Sequence, residues 1–152
     1  MEKLDDLLVN PGFNKLSTYE QDVLIGGLFR SAKKAKVLVV DPLPESAELC
    51  WRVLNEKGYE TWCACDARSA LAAVKEVRPD LILLGVAATQ LDGFAVLREL
   101  RADLKTTAIK VIMTGITTMY WEEARRNGAQ DFVGVPLDLK LMCEKVARVL
   151  RS

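Results

Sequence analysis

From residue 36 onward the chain alternates short, continuous apolar runs with longer segments whose apolar residues recur every three or four positions. "KVLVV" (36–40) and "LILL" (81–84) are apolar on both faces, as expected of strands covered on both sides in a parallel sheet. "ETWCAC" (60–65), "IKVIMTG" (109–115) and "DFVGV" (131–135) supply three further strands. Between them lie amphipathic helical stretches. Pro44 suits a first helical turn, and "ESAELCWRVLNEKG" follows with helical spacing and Gly58 as a stop. Asp66 is the candidate N-cap of a helix over 66–77, which ends before Pro79. Helices over 93–103, 117–128 and 137–150 complete the set. Five strand–helix repeats with short loops predict an α/β fold. The natural solution is a parallel sheet with right-handed crossovers and helices on both faces, a three-layer α/β/α sandwich.

Residues 1–34 fall outside this rhythm and are expected to form an N-terminal helical extension and linker, leaving 35–152 as the main domain. "STYE" (17–20) has capping-box spacing, and the helix after it carries Leu24, Leu28 and, at the edge of the stripe, Phe29. Gly26 and Gly27 weaken that helix by roughly 1 kcal/mol each, so its apolar face must pack on something. Three destinations fit: its own domain, a second copy in a homodimer joined through this helix, or another protein.

Charge narrows the function classes. The 21 basic and 21 acidic residues of the 152 cancel, which argues against a broad nucleic-acid footprint. No apolar run approaches the roughly 20 residues that span a bilayer, so membrane insertion is not expected. The acidic N-terminus lacks a signal peptide's basic region, and the expected location is cytoplasmic. The chain has no histidine, which removes His-dependent triads, a phosphohistidine relay on this chain and His-ligated cofactors. Cys63 and Cys65 share a strand face, but zinc would need further ligands; buried small hydrophobes are the expectation for the four cysteines. No metal or other cofactor is expected.

In order and spacing, "KVLVVD", "GYETWCACDARSALAAVKEVRPDLILL", "LDGFAVLRELR", "IKVIMTG" and "NGAQDFVGVP" resemble the receiver domain of two-component response regulators, over roughly residues 35–151. The resemblance implies a flavodoxin-like (CheY-like) five-stranded parallel sheet of order 2-1-3-4-5. It also implies where phosphoryl chemistry would sit: an acidic pair after the first strand for Mg²⁺, a phosphoacceptor aspartate after the third, a hydroxyl after the fourth and a lysine before proline after the fifth. Phosphoryl transfer to a carboxylate needs such a nucleophile, cation and fixed donors. Here the first acid is Asp41, but its partner is Pro42. The acceptor position is Gly85, the lysine position is Val135, and Thr114 keeps the hydroxyl unless a one-residue shift puts Gly115 there.

The expectation is therefore a degenerate, non-phosphorylatable pseudo-receiver and not an enzyme. It would act through protein partners in a bacterial signalling pathway. Its interaction face would draw on Met119, Tyr120, Trp121 and Phe132, with Trp121 turned inward. No output domain is expected after Ser152. Apolar packing of Val86 and Val135 would close the vacated strand-end pocket; a small-molecule or nucleotide sensor that uses the pocket is the alternative.

Overall fold

The computed structural model describes residues 34–85, 87–88, 91–116, 120–134 and 136–152. The chain divides into two units at Lys34/Ala35, and the description below concerns the second. Its strands are β1 (Lys36–Val40), β2 (Glu60–Ala64), β3 (Leu81–Gly85), β4 (Lys110–Ile116) and β5 (Asp131–Gly134). They pair in parallel in the order β2-β1-β3-β4-β5. The helices are α1 (Pro44–Glu56), α2 (Ala67–Val77), α3 (Gly93–Ala102), α4 (Trp121–Arg126) and α5 (Leu139–Arg151).

Alternation along the strands sorts the core into two layers. Leu38, Val40, Ile82, Leu84, Val111 and Met113 face α2, α3 and α4, meeting Ala70, Val74, Val96, Leu97 and Ala124. Val37, Val39, Leu81, Leu83, Ile112 and Val133 face the other way, onto α1 and α5 through Cys50, Leu54, Met142 and Val146. Each fully buried leucine or isoleucine contributes roughly 2 kcal/mol.

The helix ends follow from particular residues. Pro44 opens α1. Asp66 caps α2 in a reciprocal box: the Ser69 N–H donates to its carboxylate at 2.7 Å, while the Asp66 N–H donates to Ser69 Oγ. Two strands begin with a lysine that serves a helix C-terminus, where cations are favoured. The Lys36 ammonium donates to Val77 O of α2, and that of Lys110 to Val149 O of α5. Arg101 ties three segments together, donating to Gly128 O, Thr107 O and Ile109 O.

Three elements differ from the sequence expectation. The α-helix of α4 covers only Trp121–Arg126, because Tyr120 precedes it as a bridge-region N-cap with no side-chain cap bond. Residues Ala87–Ala88 and Leu91–Asp92, in the loop after β3, form a two-residue antiparallel ladder that period-2 reasoning could not detect. Cys63 and Cys65 are exposed rather than buried. β2 is an edge strand, half covered on the α1 side, and Cys65 lies just past its end.

Candidate functional site

The carboxyl ends of β1, β3 and β4 bring Asp41, Gly85 and Thr114 into one row. Val40 pairs with Leu84, so Asp41 stands at the level of Gly85, and Gly85 pairs directly with Thr114. Such strand ends are where parallel α/β sheets gather ligands.

Asp41 is engaged in its own loop. Its backbone N–H donates to Ala64 O at 3.0 Å, and its carboxylate accepts from the Leu43 N–H at 2.9 Å. That bond closes a turn leading into α1, whose N-cap Leu43 has no side-chain donor or acceptor of its own. Gly85 is buried against the β1 end. A Cβ placed there would lie 3.1 Å from Val40 O, 3.8 Å from Asp41 Cα and 3.8 Å from Pro42 Cδ. The Val40 carbonyl is therefore a tight neighbour of this position, with Asp41 and Pro42 at ordinary van der Waals distance. Thr114 is half-buried, and the register shifts between it and Ile116, where Gly115 adopts φ +79° to carry the irregularity. This register puts Thr114, not Gly115, opposite Gly85.

Among the described residues no group of three or more Asp, Glu, Cys or His is placed to hold a metal ion. An open depression of about 430 Å³ borders Asp41 on the β2 side, lined by Pro44, Ala47, Cys63 and Cys65, and it does not reach Gly85 or Thr114. Although Cys63 is exposed as a residue, its thiol faces Ala47 O at 3.7 Å, and the partial desolvation there, and then the Asp41 carboxylate, push it up. Burial drives the Cys50 thiol to about 11, with Asp41 and the neighbouring thiols adding to it. Both thiols are protonated at neutral pH, so neither offers a thiolate nucleophile.

A second cluster joins α4, β5 and α5. Trp121 is half-buried and stacks on Phe132 with ring centroids 5.2 Å apart. The Lys145 ammonium lies 5.3 Å from the other ring's centroid, over Phe132. It also donates to Phe132 O at 2.6 Å and to Asp131 Oδ1 at 3.1 Å, and Arg148 pairs with the second Asp131 oxygen. Burial raises the Asp131 carboxyl, but the Phe132 N–H, Lys145 and Arg148 outweigh it and hold the group below its usual range. Tyr120 is the exposed aromatic, 6.4 Å from Phe94.

Of the residues singled out from sequence, Asp41, Pro42, Gly85 and Thr114 come together, and Trp121 and Phe132 form a separate stack. Leu24, Leu28, Phe29, Val86, Met119 and Val135 lie outside the described residues. Lys145 and Asp131 were missed. The one available signal was a lysine bordering the apolar stripe of Met142, Val146 and Val149, where a long side chain can lie along apolar surface.

The receiver-domain family profile matches residues 37–147. The chain is 35% identical over 118 residues to the DNA-binding response regulator MtrA of Mycolicibacterium smegmatis, covering 78% of this chain and 51% of that one. It thus spans about half the length of that curated relative. Among solved structures, the receiver domain of NtrX from Brucella abortus is 31% identical, with a TM-score of 0.69 over 76% of this chain and 98% of that one. The Vibrio cholerae chemotaxis protein CheY4 is 25% identical, with a TM-score of 0.72 over 77% and 99%. With the sheet order and the match across nearly the whole of 35–152 in agreement, the chain belongs to the response regulator receiver domain family, the signal-transduction module of two-component systems.

Proposed function

We propose that this receiver does not accept a phosphoryl group and acts instead by binding protein partners in one standing conformation, within a bacterial signalling pathway. The observation that carries the reading is Gly85. At the end of β3, in line with Asp41 and Thr114, the residue has no side chain, and the space a side chain would enter is bounded by Val40 O and Pro42. Carboxylate phosphorylation needs a nucleophilic oxygen at a fixed place. Asp41 is a poor substitute, because its carboxylate is held by the Leu43 N–H on the turn into α1. Pro42, in the position of a second acid, leaves a lone carboxylate, and Mg²⁺ is usually bound with more anionic oxygen or substrate phosphate.

The α4–β5–α5 cluster supports the single-state half of the reading. Phe132 is held by a stacked indole and by an ammonium over its ring, and that ammonium is anchored to Asp131. The exposed Tyr120 beside Phe94 offers an aromatic anchor for a partner on the same side of the domain.

The test is intact mass of the full chain after incubation with acetyl phosphate and Mg²⁺. No adduct of about 80 Da is expected. An adduct of that mass would end the proposal, and its loss or survival in Asp41→Ala would say whether Asp41 or another group is the acceptor.

A further inference from the structure

The opposite end of the sheet holds a larger cleft than the one beside Asp41. It has a volume of about 710 Å³ and opens between the C-terminal ends of α2 and α3, which pack side by side. Its floor is apolar, from Val74, Pro79 and Ile109, and its rim carries Lys75, Arg78 and Lys105. Among the described residues none of these three cations makes an ion pair. Asp103 is the one acid on the rim, and its carboxylate already accepts the Lys105 N–H at 2.9 Å.

Lys75 sits in the last turn of α2, where a cation complements the helix dipole, so it needs no ligand to explain it. Arg78, the C-cap of the same helix, gains from that dipole too, but the dipole does not account for its backbone geometry. Lys105, beyond the end of α3, is not explained that way. Arg78 is the described non-glycine residue with positive φ, at +54°, in a C-cap geometry that glycine or asparagine ordinarily fills. A strained backbone carrying a charged side chain to a cleft is the kind of outlier from which a functional role is inferred.

Both walls are also fixed in advance. The Arg78 N–H donates to Val74 O and Pro79 follows it. Across the cleft, Arg101 donates to Thr107 O and Ile109 O, and the Thr106 hydroxyl donates to Leu100 O at 2.7 Å. Binding there would order little that is not already ordered, which favours affinity.

We propose that this α2–α3 cleft binds a small organic phosphate of the mononucleotide type, its flat apolar part on Val74, Pro79 and Ile109 and its phosphate between Arg78 and Lys105. The site is independent of the Asp41–Gly85–Thr114 row, so it stands whether or not the chain accepts a phosphoryl group.

The test is titration of the full ¹⁵N-labelled chain with AMP and, separately, with inorganic phosphate, following amide shifts. Saturable shifts on both walls, at residues 74–78 and 103–109, are expected with AMP, and binding of inorganic phosphate is expected to be weaker. Arg78→Gly and Lys105→Glu should each weaken AMP binding by about fivefold or more. Arg78→Gly should do so with an unchanged or higher melting temperature, because glycine suits the left-handed position. Lys140→Glu, on α5, should leave AMP binding unaltered. Absence of saturable shifts on the two walls at millimolar AMP would overturn the proposal. So would inorganic phosphate binding as tightly as AMP, or an affinity for AMP unchanged in Arg78→Gly and Lys105→Glu.

Discussion

Gly85→Ala measures how tightly the row is closed. The added methyl would stand 3.1 Å from Val40 O, a backbone atom of a strand flanked by β2 and β3. It cannot swing aside as a side chain could, so β1 or β3 must shift by a few tenths of an ångström. Inserting a methyl into a packed site costs about 1–3 kcal/mol. Replacing a glycine at a compatible backbone angle returns about 0.4–1 kcal/mol through the unfolded chain. The net loss is about 1 kcal/mol, or roughly 4 °C in melting temperature for a domain of this size. Urea and thermal unfolding followed by circular dichroism of the full chain would read it. Gly85→Asp carries the same Cβ and adds a carboxylate beside Asp41, so it should lose more at pH 7. The folded state would raise that new carboxyl's pKa, so the extra loss belongs above the ordinary carboxylate range and should shrink as pH falls and the group protonates. An alanine variant as stable as the parent, or more stable, would refute the view that Val40 O crowds this position.

The remaining predictions concern packing elsewhere in the domain. Asp131 has a depressed carboxyl pKa, so its ion pairs with Lys145 and Arg148 contribute stability above the unfolded pKa and lose it as pH falls through the folded one. Asp131→Asn should therefore be destabilised by about 1 kcal/mol at pH 7, with the gap to the parent closing toward pH 3 in urea titrations; a pH-independent gap would mean the charge is irrelevant. Arg101→Met strands the carbonyls of Gly128, Thr107 and Ile109 and should cost about 2–4 kcal/mol. Gly128→Ala places a Cβ 2.8 Å from Arg101 Nε at φ +100°, so it should also destabilise. The double variant should lose less than the sum, because the clash goes with the guanidinium, and strict additivity in denaturant unfolding would contradict that contact.

The sheet was legible because its central strands are apolar on both faces, as "KVLVV" and "LILL" must be when helices cover both sides. Asp66 and Pro44 were legible because a cap depends on local chemistry. The row of Asp41, Gly85 and Thr114 followed from the resemblance to receiver domains, which marks those strand-end positions. What could not be read depends on contacts between distant segments. Arg101 looks like any basic residue of an amphipathic helix until the loops bearing Thr107, Ile109 and Gly128 close on it. Cys63 and Cys65 alternate as core residues do, but an edge strand buries less than the pattern suggests. The grip of Lys145 on Phe132 crosses from β5 to α5, 13 residues apart, and no periodicity links them.

The central claim is that this receiver holds one state with no phosphoryl chemistry. Its most direct test is the amide NMR spectrum of the full chain before and after addition of Mg²⁺ with acetyl phosphate. The account predicts that Asp41, Gly85, Gly115 and Phe132 stay unmoved, with any shifts confined to the α2–α3 cleft at residues 74–78 and 103–109. A coherent set of shifts spreading from Gly85 and Thr114 to Trp121, Phe132 and Lys145 would contradict it.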